Sequence, residues 1–134
     1  MPFVRIDLSP AVPEDLARPI AAAAHDALIE AVGIPADDRF QVMTSRQAGM
    51  IYDRGFLGVD RSDAMVMVEV HLSPGRTVAI KQAFYAALAA KIAKLGLRPE
   101  DLFIHLVETT RENWSFGKGI AQYVINPPAH IPVQ

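Results

Sequence analysis

Apolar and polar residues alternate at the start of the chain. Positions 4, 6 and 8 are apolar and positions 5 and 7 are charged, which predicts a strand with one buried face. The segment 64–72 alternates in the same way, with its even-numbered residues on the predicted buried face. Shorter apolar runs bounded by turn residues predict three more strands, over 39–44, 102–109 and 120–125.

Two longer segments repeat apolar residues at the spacing of a helix. The first lies between Pro13 and Gly33, and Pro19 is expected to kink or delay it because an interior proline removes a hydrogen bond. The second is capped by Thr77 and ends at Gly96. Its predicted core face consists of Ile80, Phe84, Leu88, Ile92 and Leu95. We expect a loop over 45–63, with a short hairpin as the alternative. The proline-containing tail over 126–134 is expected to be irregular or to lie over a neighbouring subunit.

The two halves of the chain resemble each other. Gly33 corresponds to Gly96, and Phe40 corresponds to Phe103, each 63 residues later and near a change from helix to strand. Pseudo-repeats of about 2–45 and 64–109 follow, within a single domain that spans 1–134. Because β-α-β crossovers are right-handed, the prediction is an α+β fold with a four-stranded sheet and two helices on one face. Ordinary turn chemistry between helix and strand explains the same similarity, so the repeat stays a hypothesis.

The composition excludes several classes of function. Hydrophobic residues make up 51% of the 134 positions, charged residues 21%, and the net charge is -2, so no basic surface for nucleic acid is expected. There are no cysteines, which excludes disulfides, thiolate zinc sites and cysteine nucleophiles. The four histidines lack metal-site spacing, and no cofactor is expected. Since neither a signal peptide nor a membrane-crossing stretch is present, we expect a soluble, cytoplasmic protein.

Several stretches carry a resemblance to a known family. They are PFVRIDL at 2–8, AHDAL at 24–28, IPADDRFQ at 34–41, GRT at 75–77 with Lys81, and WSFG at 114–117 followed by Gln122-Tyr123. The chain resembles the tautomerase superfamily over nearly its whole length and, within it, the malonate semialdehyde decarboxylases. The WSFG and DRFQ stretches are the most discriminating, whereas a proline after Met1 alone is a weak signal.

The resemblance implies two β-α-β units in each subunit and a homotrimer. It also implies catalysis by a proline nitrogen, a carboxylate-binding arginine, an aspartate near the proline and an aromatic wall. By position these roles fall on Pro2, Arg76, Asp38, and Trp114 with Phe116. The chain departs from the pattern at one position: some of these decarboxylases carry a second arginine where this sequence has Pro74. The substrate carboxylate is therefore held differently here, or the substrate differs.

Pro2 would act through its nitrogen once Met1 is removed. A free α-amino group titrates near pH 7.7–8.0, so it can act as an acid or a base near neutrality. If Met1 is retained, Pro2 is an amide and this mechanism is impossible. Asp38 would favour the protonated amine and raise its pKa, but it also fits a turn aspartate paired with Arg39.

The other candidate residues have structural alternatives as well. Arg76 offers paired donors to a carboxylate beside a helix N-terminus, but a solvated turn arginine is common. Trp114 and Phe116 would lower the dielectric constant around the site, or pack in the core or in a subunit contact. Tyr123 would donate a hydrogen bond to a substrate carbonyl, or be a strand residue with a solvated hydroxyl.

Three functions remain open on the sequence alone. The first is decarboxylation of a small 3-oxo acid such as malonate semialdehyde, with Pro2 cationic or forming an imine. The second is keto–enol tautomerisation of a 2-oxo acid such as phenylpyruvate, with neutral Pro2 as the base. The third is a non-enzymatic binding protein on the same fold. The pKa of the Pro2 amine separates the two enzymes: Asp38 favours the decarboxylase, and Pro74 weakens that preference.

Overall fold

A computed structural model describes residues 2–127 of the chain. The described part contains four strands and three α-helices, joined by loops and short helical turns. In chain order these are β1 (Pro2–Leu8), α1 (Ala17–Ala27), β2 (Phe40–Thr44), β3 (Val66–Leu72), α2 (Val78–Lys94), β4 (Leu102–Glu108) and α3 (Gln122–Ile125). All but the first two residues of the predicted tail lie outside the described residues.

The four strands form one mixed sheet in the order β2-β1-β3-β4. β1 runs parallel to β2, β3 runs parallel to β4, and the two central strands are antiparallel. In this register Pro2 lies opposite Leu72, Phe3 lies opposite Phe40, and Leu72 lies opposite Glu108. The predicted α+β fold with four strands is confirmed.

The core lies between the sheet and the two long helices. The even-numbered residues of β1 and β3 are buried on one face, as the alternation predicts. Phe84, Leu88 and Ile92 of α2 are fully buried against the same cluster as Ile20 and Ala24 of α1. Both helices therefore cover one face of the sheet, and the odd-numbered residues of β1 and β3 lie on the open face.

The helix boundaries follow from local chemistry. The Thr77 side chain accepts a hydrogen bond from the Ile80 N–H at 3.2 Å and caps α2, as predicted. The expectation that Pro19 kinks or delays the first helix is confirmed as a delay: Glu14–Leu16 form a 3-10 turn, and α1 begins only at Ala17. Pro19 is the third residue of α1, where a backbone N–H has no partner within the helix in any case. The helix widens into a π turn over Leu28–Val32 and ends at Gly33, whose φ of 81° favours glycine.

The predicted strand over 120–125 is also wrong. Residues Gln122–Ile125 form the short helix α3, which begins after Ala121. The Gln122 side chain accepts a hydrogen bond from the Phe116 N–H at 2.9 Å and donates one to the Gly117 carbonyl at 2.9 Å. These local bonds fold the segment back on the preceding loop, so its apolar alternation does not become a sheet edge.

A buried carboxylate fixes the loop at the other end of the sheet. Asp101 is 1% exposed and accepts hydrogen bonds from the Ser62 N–H at 2.7 Å and the Ser62 hydroxyl at 2.6 Å. Arg61 donates to carbonyls of the same loop, including that of Phe56 at 2.9 Å. The 45–63 segment is thus a loop, as predicted, but it forms a 3-10 turn over Phe56–Gly58 and not the short hairpin that was the alternative.

Candidate active site

The topology brings four chain segments to one end of the sheet. β1 and β2 begin there, while β3 and β4 end there, because the two central strands are antiparallel. We call this the proline end, and define it by Pro2, Phe40, Leu72 and Glu108. Every residue that the sequence analysis assigned to the site lies in or beside a segment that reaches this end.

Pro2 is buried and is the first residue of an inner strand. Pro2 lies opposite Leu72, the last residue of β3. Because β1 and β3 are antiparallel, Ser73, which follows Leu72, lies on the side of the Pro2 nitrogen. An inner strand is held by hydrogen bonds on both sides, and its first residue therefore has a fixed position. The fold therefore holds Pro2 in a fixed place at this end of the sheet.

Arg76 lies in the turn that joins β3 to α2. Its Nη1 donates a hydrogen bond to the Ser73 carbonyl at 2.7 Å, which ties the guanidinium to the residue beside Pro2. Burial lowers the pKa of Arg76, and the carboxylate of Glu108 opposes that shift. Glu108 itself accepts a hydrogen bond from Lys81 Nζ at 2.9 Å. Because an arginine stays charged in proteins, this end of the sheet holds a half-buried cation. Within residues 2–127, the Ser73 carbonyl is the acceptor shown for its donors.

Asp38 lies two residues before β2, on the opposite side of Pro2 from Arg76. It is half-buried, and its backbone N–H donates to the Pro35 carbonyl at 3.1 Å. β2 pairs with β1 through Phe40 and Phe3, which places Asp38 at the proline end. The arrangement therefore has an acidic group on one side of Pro2 and a basic group on the other.

Four aromatic side chains form a cluster at the same end. Trp114 stacks on Phe116 with ring centres 5.5 Å apart, and Phe116 contacts Tyr123 at 4.5 Å and Phe40 at 6.3 Å. Sequence reasoning assigned three of these rings to the site and missed Phe40, which is 54% exposed on the open face. Burial raises the pKa of Tyr123 above its ordinary value of about 10, so its hydroxyl is a neutral donor at physiological pH.

The aromatic cluster is carried by a loop that crosses the proline end. The loop begins at Thr109, whose N–H donates to the Leu72 carbonyl at 2.9 Å on the β3 side. It reaches the other edge of the sheet where Phe116 contacts Phe40 on β2. Since β1 and β3 lie between these contacts, the loop passes over the ends of the strands that carry Pro2 and Ser73.

Two buried polar atoms at this end have no hydrogen-bond partner. Within residues 2–127, the buried side-chain nitrogens and oxygens without a partner are Ser73 Oγ and Trp114 Nε1. Ser73 is 0% exposed. Sequence reasoning missed Ser73, because a serine after a strand is an ordinary turn residue and its burial depends on tertiary packing.

The described residues give no support to a metal site or a membrane span. No group of three or more histidine, aspartate or glutamate side chains within residues 2–127 is placed to hold a metal ion. In the same part of the chain, no helix has the length and apolar character needed to cross a bilayer.

Comparisons with known proteins identify the family. The family model described as "Tautomerase enzyme" matches residues 38–117. The chain is 36% identical to the probable tautomerase YusQ of Bacillus subtilis (strain 168), over 92% of this chain and 99% of that protein.

Solved structures show the same relationship. A malonate semialdehyde decarboxylase inhibited by 3-bromopropiolate matches with a TM-score of 0.88 and 40% identity, covering 97% of this chain and 99% of that one. A second malonate semialdehyde decarboxylase, with decarboxylase and hydratase activities, matches with a TM-score of 0.85 and 31% identity, covering 95% and 99%. With the family model, a full-length relative and the fold in agreement, this chain belongs to the tautomerase family of enzymes.

Proposed function

We propose that this enzyme decarboxylates a small 3-oxo acid to an aldehyde and carbon dioxide, with the nitrogen of processed Pro2 as the catalytic group. The observation that carries the proposal is the placement of Pro2. It is buried at the start of an inner strand, and the adjacent residue Ser73 anchors the Arg76 guanidinium at 2.7 Å. This arrangement supports a site in which the amine and the carboxylate-binding cation lie on either side of Ser73.

Arg76 would bind the substrate carboxylate and hold it out of the plane of the carbonyl group. Protonated Pro2 would donate a hydrogen bond to the carbonyl oxygen. The bond between the carboxylate carbon and its neighbour then breaks, carbon dioxide leaves, and the electron pair passes onto the polarised carbonyl as an enolate. A proton from solvent adds to the carbon of the enolate and gives the aldehyde. If neutral Pro2 instead forms an imine, the iminium nitrogen accepts the same electron pair.

The surrounding residues support this chemistry. Asp38 would favour the protonated amine, since a nearby carboxylate raises the pKa of a base. The aromatic cluster of Phe40, Trp114, Phe116 and Tyr123 would exclude water from the proline end and strengthen the charge interactions there. Tyr123 would donate to a substrate oxygen.

A second candidate function is tautomerisation of a 2-oxo acid such as phenylpyruvate. Two observations favour it: Pro74 leaves Arg76 as the single arginine of the turn, and the relative YusQ is described as a probable tautomerase. Here Pro2 would act as a base that moves a proton between carbon and oxygen. Tautomerisation therefore requires the neutral amine, whereas decarboxylation by hydrogen bonding requires the protonated amine.

The pH dependence of kcat/KM on each substrate separates these mechanisms. With cationic Pro2, decarboxylation loses rate as pH rises through the pKa of the amine, because the hydrogen-bond donor is lost. A tautomerase, or a decarboxylase that forms an imine, gains rate over the same range. Protein whose intact mass retains Met1 serves as the control and should be inactive in every case. Full activity of that form would rule out Pro2 as the catalytic group.

Labelling tests the position of the reactive nitrogen. An electrophilic propiolate should alkylate Pro2, because Arg76 would hold its carboxylate while the amine attacks the polarised triple bond. Peptide mapping is expected to find the adduct on the first residue of the processed chain. An adduct on Lys81, the nearest lysine along this chain, would contradict the assignment.

We propose a homotrimer as the working form of the enzyme. The open face of the sheet carries large exposed apolar side chains, among them Phe40 at 54%, Val42 at 41% and Phe103 at 51% exposure. These three residues lie on the two edge strands, which also leave backbone groups without a neighbour. Sedimentation at micromolar concentration should give three times the mass of the chain, and a monomer there would refute the proposal.

A further inference from the structure

Ser73 and Trp114 carry the two buried polar atoms that lack a partner within the described residues. Buried polar groups in proteins are hydrogen-bonded in the great majority of cases, and leaving one without a partner costs free energy. Two such atoms lie at one end of the sheet, whereas the other buried polar side chains within residues 2–127 have partners. The pair points to an acceptor supplied by something that binds there.

The position of Ser73 connects the two functional groups of the site. It is adjacent to the Pro2 nitrogen in the register of β1 and β3, and its carbonyl accepts the hydrogen bond from Arg76. On the proposed function, a ligand that spans the Pro2 nitrogen and the guanidinium therefore lies close to Ser73. The side chain is 0% exposed, so a ligand reaches its hydroxyl only when the residues that cover it move aside.

Trp114 approaches from the loop that crosses the proline end. Its ring stacks on Phe116 at an interplanar angle of 12°, which fixes the plane in which the indole N–H lies. An indole nitrogen is a donor only, and a serine hydroxyl can also donate. Both are neutral, and both remain donors over the whole pH range in which the protein is folded.

We infer that Ser73 Oγ and Trp114 Nε1 donate hydrogen bonds to the oxygens of the bound oxo acid and, with Arg76, form its carboxylate subsite. The inference rests on the proposed function and names the groups that hold the substrate. One guanidinium satisfies only part of the hydrogen-bonding capacity of a carboxylate, which has about four lone-pair sites. Two neutral donors beside Arg76 complete the set without adding a second buried cation.

The test is binding of malonate, an unreactive three-carbon diacid, to the Ser73→Ala and Trp114→Phe variants of the full chain. Isothermal calorimetry is expected to show about tenfold weaker binding for each variant. Trp114 is the single tryptophan of the chain, so its fluorescence should also shift when malonate binds to the wild type.

Ser9→Ala is the matched control. Ser9 is also a buried serine that directly follows an inner strand, but it lies at the opposite end of the sheet and its hydroxyl donates to the Asp63 carbonyl at 2.5 Å. Ser9→Ala should lower the melting temperature and leave malonate binding unchanged. Ser73→Ala should do the reverse, because it removes a hydroxyl that forms no bond within the described protein. A change of oligomeric state in Ser73→Ala alone would assign the hydroxyl to a subunit contact and overturn the inference.

The outcomes separate this inference from the proposed function. Unchanged malonate affinity in both variants removes the two donors from the site, even if the wild type decarboxylates its substrate. Weakened binding with no turnover of either oxo acid refutes the proposed function and leaves the subsite in place. If Ser73→Ala fails to fold, Trp114→Phe decides alone, and an unchanged affinity there overturns the inference.

Discussion

Replacing Arg76 with alanine should abolish efficient turnover while leaving the fold intact. The side chain is half-buried at the proline end, and Ser73 supplies its one hydrogen bond shown within the protein, at 2.7 Å. On the proposed function, its remaining donors bind the substrate carboxylate. Arg54→Ala is the control, because Arg54 is an exposed arginine paired with Asp63 at the other end of the sheet.

The size of the effect follows from the contacts that are lost. A hydrogen bond to a charged group contributes about 1.5–3 kcal/mol, so loss of a two-donor clamp should cost about 3 kcal/mol or more in kcat/KM, roughly a hundredfold. The loss for folding is smaller: one hydrogen bond from a partly exposed side chain to a carbonyl, at most about 1 kcal/mol. The melting temperature should fall by no more than a few degrees.

Steady-state kinetics on the 3-oxo acid and thermal unfolding measured on the same preparations test both parts. Arg76→Lys keeps the charge but loses the planar fork, and should recover only part of the rate. If Arg76→Ala keeps kcat/KM within twofold of wild type while folding normally, the guanidinium is not the carboxylate clamp. A collapse of stability would instead show that Arg76 serves the turn.

Three further predictions concern stability and pH. Asp101→Ala should destabilise the fold by about 2–3 kcal/mol, since it leaves the Ser62 N–H without its acceptor. Chemical denaturation measures this loss. The folded fraction should keep its kcat/KM, because the candidate site lies at the other end of the sheet. Thr77→Ala should cost about 1 kcal/mol through loss of the α2 cap, and Thr77→Ser should restore it. Burial raises the pKa of Tyr123 in the folded state, because the phenolate is poorly solvated there. The folded protein therefore keeps its full stability below about pH 10, where the unfolded chain is also protonated, and loses stability as pH rises above that value. Tyr123→Phe should therefore show a smaller loss of stability between pH 9 and 11, and an identical loss would refute the assignment.

The fold was predictable because its signals are local. Alternation in β1 and β3 predicted one buried face, and the Thr77 cap with a four-residue apolar spacing predicted α2. The segment 120–125 also alternates, but the side chain of Gln122 binds the backbone of the preceding loop and the chain turns into a helix. A periodicity cannot reveal such competition, because the partner atoms lie outside the repeating segment.

The site was predictable only where a residue type carries its own chemistry. An arginine in a turn before a helix and a proline after Met1 can be recognised as candidates from the sequence. Ser73 and Phe40 cannot be recognised in this way. Ser73 is a candidate because it is completely buried, and Phe40 because its ring contacts Phe116, which is 76 residues later in the chain. Such properties arise only when the four segments of the proline end come together.

On the proposed mechanism, the burial of Pro2 links the maturation of the enzyme to its folding. Pro2 is buried in an inner strand of the folded domain. We therefore expect removal of Met1 to be fastest before β1 pairs with β3, while the chain is still extended. About 70 residues are synthesised between Pro2 and Leu72, which takes roughly 4–14 s at ribosomal rates of about 5–20 residues per second. Chains made faster than the peptidase can process them would fold with a blocked nitrogen, and on the proposed mechanism they would remain permanently inactive.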